Sequence, residues 1–363
     1  MRGWVYTHPP TSCILFSVDR ATCRRFIERW REVAQADPSE GDRHAERCLD
    51  LVADLGHPSD LHARALTIYG SSRREAGDFE GADEAFQCAL RIYSSLLRSP
   101  DHRELVFDKA DLTRRIAYLR AEQGRYKEAL NAADWALDIY SIAKDWHEYS
   151  RALLARGIVL LMSDDSRSTS VLSLTLRHLD AEKSWEDFLA AAYNLTYALT
   201  IFEDIEPEKL EGILDQLTET RLSLRSLRRK TKKRYLKGHR RKTPHDALMR
   251  FLQGRILVLL ERYEEARDLL ESSRQDLEDL GMLRDVAAAS LELAECTLNL
   301  SGIHRWHRTE ALCREVLTLL ASEPDGIDAI AAFKLLKRSL LERSLEEART
   351  ALLEARQAIR GSS

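Results

Sequence analysis

The stretch ARALTIYGSSRREAGDFEGADEAFQCALRIY, residues 63–93, holds two helical apolar periodicities on either side of a turn. Gly70 sits on the first, Gly77 and Asp78 make the turn, and Ala82, Phe86 and Ala89 mark the second. Small residues at that spacing let two helices approach closely, while the bulky Phe86 fills the space beside them. The same order returns in DLTRRIAYLRAEQGRYKEALNAADWALDIY, residues 111–140, with Ala117 in the place of Gly70, Gly124 at the turn, then Tyr126, Ala129, Ala133 and Ala136. It returns again in ALMRFLQGRILVLLERYEEARDLLESSRQDL, residues 247–277, with Gly254, Tyr263, Ala266 and Leu270. A hairpin of this kind cannot hide its apolar face alone, so its repetition restricts the chain to an array of stacked helix pairs.

Weaker copies fill the intervals. Residues 150–179 keep Gly157 but carry a polar stretch, Ser163 to Ser170, where a turn and an alanine are expected, and residues 188–217 keep only the apolar periodicity. Toward the C-terminus, residues 285–300 pair with 308–321 and residues 328–340 with 345–359. Only 15 Gly and 8 Pro in 363 residues, with 44% hydrophobic and 31% charged residues, favour helix over sheet throughout. The aromatic row Trp185, Phe188, Tyr193 and Tyr197 reads as core rather than as a stacking platform, and Asn194 among them is expected to hydrogen-bond a neighbouring helix.

The three clear hairpins resemble tetratricopeptide repeats (TPRs), whose signature is a small residue on the first helix, an aromatic after the turn and an alanine three residues on. The resemblance implies an all-α, right-handed superhelical solenoid of antiparallel helix pairs. About seven pairs would span residues 19–360 as a single solenoid, with residues 1–18 as a loosely packed lead-in. The interval from Ala82 to Ala129 is 47 residues, longer than the family's unit of about 34. It also implies that ligands meet the first helix of each hairpin. That rule places Arg64, Arg74, Asp111, Arg114, Tyr118, Arg151 and Arg255 on a partner-binding groove. Those arginines fit either a solvated face of local ion pairs or guanidinium forks holding an acidic peptide or carboxylate. The units further resemble repeat proteins found in bacteria beside regulatory modules.

No phosphate-binding glycine loop, dinucleotide fingerprint or nucleophile elbow occurs, so a non-enzymatic scaffold or adaptor binding another protein or peptide is expected. Cofactors and metals are not expected. Cys13, Cys23, Cys48, Cys88, Cys296 and Cys313 are scattered without zinc or redox spacing, and His304, His307 and Cys313 are short of a ligand set. His57 to His62 reads as a helix start, with Pro58 and Ser59 followed by Asp60, and Asp164 and Asp165 as solvated loop acids. With no long apolar run, the expected location is the cytoplasm, away from membranes.

Formal net charge is −4, yet twelve Lys and Arg fall between Arg221 and Lys242; setting them aside leaves 43 basic against 59 acidic residues, a body at −16. The basic insertion, residues 221–245, includes Arg228, Arg229, Lys230, Lys232, Lys233, Arg234, Lys237, Arg240, Arg241 and Lys242. Its first part is expected to extend a helix and Thr243–Pro244 to begin the next. It reads as a connector, as a segment for protein contact or proteolytic cleavage, or, as the alternative function, as the site of a nucleic-acid-associated regulator using residues 225–242.

Overall fold

In the computed structural model, residues 19–30, 33, 38–56, 59–181, 183–202, 207–232, 244–300, 305–320 and 350 are described. Among them the apolar periodicities become fourteen α-helices. These are α1 (Arg20–Glu28), α2 (Pro38–Asp54), α3 (Ser59–Glu75), α4 (Phe79–Leu96), α5 (Leu105–Glu122), α6 (Tyr126–Ala143) and α7 (Trp146–Met162). They continue as α8 (Arg167–His178), α9 (Trp185–Phe202), α10 (Pro207–Lys232), α11 (Pro244–Leu259), α12 (Tyr263–Asp279), α13 (Leu283–Asn299) and α14 (Arg305–Leu320). The contacts divide the chain into two compact units, Met1–Ser163 and Asp164–Ser363.

The tightest hairpins close through one recurring turn. A backbone N–H reaches back five residues to a carbonyl of the preceding helix: Asp78 to Arg73 at 2.9 Å, Arg125 to Arg120 at 2.8 Å, Asp145 to Tyr140 at 3.0 Å, Arg262 to Leu257 at 2.8 Å and Met282 to Leu277 at 3.0 Å. The residue before each donor is left-handed, with Gly77 at φ +79° and Gly124 at +73°, but Lys144 at +55° and Glu261 at +59°. Glycine adopts this conformation without a Cβ clash, whereas Lys144 and Glu261 do so at a cost. Each donor is itself the cap of the next helix, so an apolar residue (Phe79, Tyr126, Trp146, Tyr263 or Leu283) opens that helix and fixes its entry angle. The aromatic after the turn therefore has a structural cause.

Within a pair, the close approach is at the small residue. A Cβ built on Gly70 would lie 2.6 Å from the Phe86 ring, and one on Gly254 would lie 2.6 Å from Leu270 Cγ. In both hairpins the partner is sixteen residues on, and the same register sets buried Ala117 opposite buried Ala133. In the first unit, Cys23, Ile27, Trp30, Ala45, Cys48 and Val52 pack beneath Leu61 and Ile68, and Phe86, Ala89 and Tyr93 pack beneath Leu105, Leu112 and Leu119. In these clusters of the first unit, each hairpin rests on the next. In the second unit Phe188 of the aromatic row is buried, whereas Trp185, Tyr193 and Tyr197 are only half-buried and so line the core's edge rather than its centre. Asn194 differs from expectation: its Nδ2 donates to the Ala190 carbonyl of its own helix at 2.8 Å, because a side chain one turn up already finds that acceptor within reach.

Gly70→Ala should destabilise the protein by about 1–3 kcal/mol through overpacking against Phe86. At exposed Gly212, in the second turn of α10, an added methyl would have nothing within 4 Å. Gly212→Ala should therefore stabilise by about 0.5–1 kcal/mol, and urea melts of the two variants should move in opposite directions.

Candidate protein-binding face

In the first unit α3, α5 and α7 lie side by side, with α4 and α6 packed at their back. Helical spacing collects one polar row per helix on the face turned away from α4 and α6: Arg64, Ser71 and Arg74 on α3, Asp108, Asp111, Arg115, Tyr118 and Glu122 on α5. These rows are joined across the helices. Arg64 Nη2 donates to Asp108 Oδ2 at 2.8 Å, Arg74 Nη1 to Glu122 Oε1 at 2.5 Å, and Arg115 Nη1 to Ser71 Oγ at 2.8 Å. The Arg74 guanidinium also lies 5.6 Å from the centre of the Tyr118 ring. On α7, Arg151 Nη1 donates to both Glu148 carboxylate oxygens, at 2.7 and 3.0 Å.

Asp111 stands at the middle of this face, hydrogen-bonded to Arg114 and, at 2.8 Å, to Arg115. Burial pushes its carboxyl upward, but Arg115, Arg114 and Arg151 together outweigh that and hold it well below the usual carboxylate range. Asp108 and Glu122 answer to one close guanidinium each, Arg64 and Arg74. There burial wins and both carboxyls are raised. Burial also raises the hydroxyls of Tyr93 and Tyr140, which reach this cluster from α4 and α6. Among the described residues, the buried Arg64 Nε and Glu122 Oε2 on this face have no hydrogen-bond partner.

The residues picked from sequence fall in two places. Arg64, Arg74, Asp111, Arg114, Tyr118 and Arg151 share the first unit's face, with Arg114 at 4% and Arg151 at 7% exposure. Their charges are largely matched by Asp108, Asp111, Glu122 and Glu148, so the face is a mixed-charge network and not a bare cationic row. Arg255 belongs to the second unit, where it is buried 3.6 Å from buried Glu292 and lies 5.3 Å from the Tyr193 ring centre. Around it Trp185 meets His245, Tyr193 meets Phe251, and Gln253 joins Thr218 and Arg221. Sequence reasoning missed Asp108, Arg115, Glu122 and Glu292. The first two lie three and four residues from Asp111, a spacing that marks them as its neighbours on the helix.

Helix α10 runs on to Lys232, so the first part of the basic stretch does extend a helix, and α11 starts at Pro244. The side chains of Arg228, Arg229, Lys230 and Lys232 lie outside the described residues, as do Lys233, Arg234, Lys237, Arg240, Arg241 and Lys242 and the lead-in, residues 1–18. Arg221 is packed, donating to Asp246 at 3.1 Å and Gln253 at 2.8 Å. Among the described residues no helix is long and apolar enough to cross a membrane.

No protein-family model matches the sequence, and no curated protein matches it. Solved structures do. The apo form of the quorum sensor NprR from B. thuringiensis is 13% identical, with 93% of this chain and 93% of that chain covered and a TM-score of 0.54. A signal transduction ATPase with numerous domains (STAND), the protein PH0952 from Pyrococcus horikoshii with a tetratricopeptide repeat sensor, is 13% identical. That match covers 95% of this chain and 49% of the other, with a TM-score of 0.58. The apo form of RapI is 11% identical over 93% of this chain and 97% of that chain, with a TM-score of 0.53. The likeness is one of fold: an all-α array of antiparallel helix pairs of the TPR-like class, as the sequence repeats implied.

Asp111→Asn should cost about 1–3 kcal/mol at pH 7, because it removes a charged partner from buried Arg114. A carboxyl held below its unfolded value contributes stability that is present above about pH 4 and lost as pH falls toward the folded value. Urea melts of wild type and variant at pH 7, 4 and 2.5 should therefore converge as pH falls.

Proposed function

We propose that this protein is a non-enzymatic adaptor that binds another protein or peptide along the face of α3, α5 and α7. The supporting observation is the network on that face. Guanidinium and carboxylate groups stand at intervals of one helix turn, fixed across the helices by Arg64–Asp108 and Arg74–Glu122. Fixed donors and acceptors lower the ordering cost of binding. An extended peptide laid across the helices meets alternating charge and the exposed part of Tyr118. The partner is accordingly a segment carrying both signs; a purely acidic one binds only by displacing carboxylates already in place. That proteins of this fold include a quorum sensor and a repeat sensor of a signalling ATPase favours a role in a regulatory assembly, bacterial and cytoplasmic, for a single array over residues 19–360.

A second reading is nucleic-acid association through residues 225–242. It is favoured by the continuation of α10 into the basic run, which puts Arg225, Arg228, Arg229 and Lys232 within two turns of one helix. Closely set cations of this kind bind phosphates with a steep salt dependence.

Peptide-display selection on the full chain, followed by titration of the selected peptides, tests the first reading. Tyr118→Ala combined with Arg74→Ala should weaken the winners roughly tenfold or more, since each loses a contact of hot-spot type. Melting temperatures report that the variant is folded. Peptides that bind the folded variant as tightly as wild type would overturn the proposal, and salt-sensitive retention of duplex DNA in its place would favour the second reading.

A further inference from the structure

Helix α5 has a second row of side chains, three polar and one apolar, on its opposite side. Lys109, Thr113, Ile116 and Arg120 recur every three or four residues and point roughly half a turn away from Asp111, Arg115 and Tyr118. With α4 and α6 they bound a cleft of about 360 Å³, within the size range of small-ligand sites. Its apolar surface comes from Leu90, Ile116 and Trp135.

The charges of this cleft are unequally settled. Arg120 is held by both oxygens of Asp83, at 2.5 and 3.0 Å, and by Gln123 at 2.7 Å. Glu128 is held by both ends of the Arg125 guanidinium, at 2.6 and 2.9 Å. Lys109 differs from both. Its ammonium lies 5.2 Å from the centre of the Trp135 ring, and among the described residues no carboxylate pairs with it. The indole face orients the cation without neutralising it. The Ser94 hydroxyl on α4 likewise has no partner among the described residues and faces the same cleft.

We propose that this cleft is a binding site, separate from the face of α3, α5 and α7, for a carboxylate carried on a small apolar body. The carboxylate accepts from the Lys109 ammonium, and the apolar body covers Leu90, Ile116 and the free part of the Trp135 ring. Two sources supply that chemistry: the C-terminus of a peptide ending in an apolar residue, and a free small carboxylic acid. The site stands on its own geometry and does not depend on the proposed adaptor face.

Titration calorimetry on the full chain tests this with acetyl-glycyl-leucine, its C-terminal amide, and hexanoate. At least one of the two acids should bind, and the amide should bind roughly tenfold more weakly, the scale of a charge-assisted hydrogen bond. Lys109→Gln should remove the preference for acid over amide, and Lys109→Arg should keep it. Tighter binding of the dipeptide assigns the site to peptide C-termini, and tighter binding of hexanoate assigns it to free acids. Equal binding of acid and amide, binding unaffected by Lys109→Gln, or no heat from either acid would overturn the proposal.

Discussion

At Gly70 and at Gly254 two helices come so close that a single added carbon would collide with the helix behind, against Phe86 in one pair and Leu270 in the other. This approach sets the depth to which each hairpin closes, and hence where its outer surfaces lie. The five-residue turn bond sets the angle, because its left-handed residue and the cap of the next helix are adjacent. Together these constraints make a pair that exposes apolar surface on both flanks, and stacking buries it. The clusters running from Cys23 to Ile68 and from Ala63 to Leu119 are that burial.

Stacking has an electrostatic consequence. It sets α3, α5 and α7 in one layer, and α3 and α5 come close enough for ion pairs to bridge them. The balance of burial against nearby guanidiniums decides a carboxylate's state: Asp111, beside Arg115, Arg114 and Arg151, is held acidic, while burial outweighs the arginines near Asp108 and Glu122 and raises both. The same stacking gives α5 two distinct sides. One carries the mixed-charge network and the other the cleft where Lys109 rests on Trp135.

Much of the fold was legible because its causes are local. Gly77, Gly124 and the aromatic residues after them appear in the sequence as turn and cap, and Gly70 or Ala117 as the point of approach. The turns at Lys144 and Glu261 were harder to see, since a left-handed residue that is not glycine leaves no compositional mark. The candidate face was legible by half. Counting from the small residue located Arg64, Arg74, Asp111, Arg114 and Tyr118, but not their partners on the next helix. Asp108 and Glu122 lie 44 and 48 residues from the arginines they meet, a pairing that depends on the stacking register rather than on any local pattern. For the same reason the guanidiniums looked available in sequence and are engaged in the structure. Lys109 passed unnoticed because a lone lysine carries no signal until the indole beneath it is known.

The central claim is that ion pairs between α3 and α5 hold that part of the face in one arrangement. A double-mutant cycle on Arg64 and Asp108, with alanine at each position and stability read from urea melts, tests it directly. The expected result is a coupling of about 1 kcal/mol, which shrinks in 1 M salt. Additive single losses, with no coupling at low salt, would contradict it.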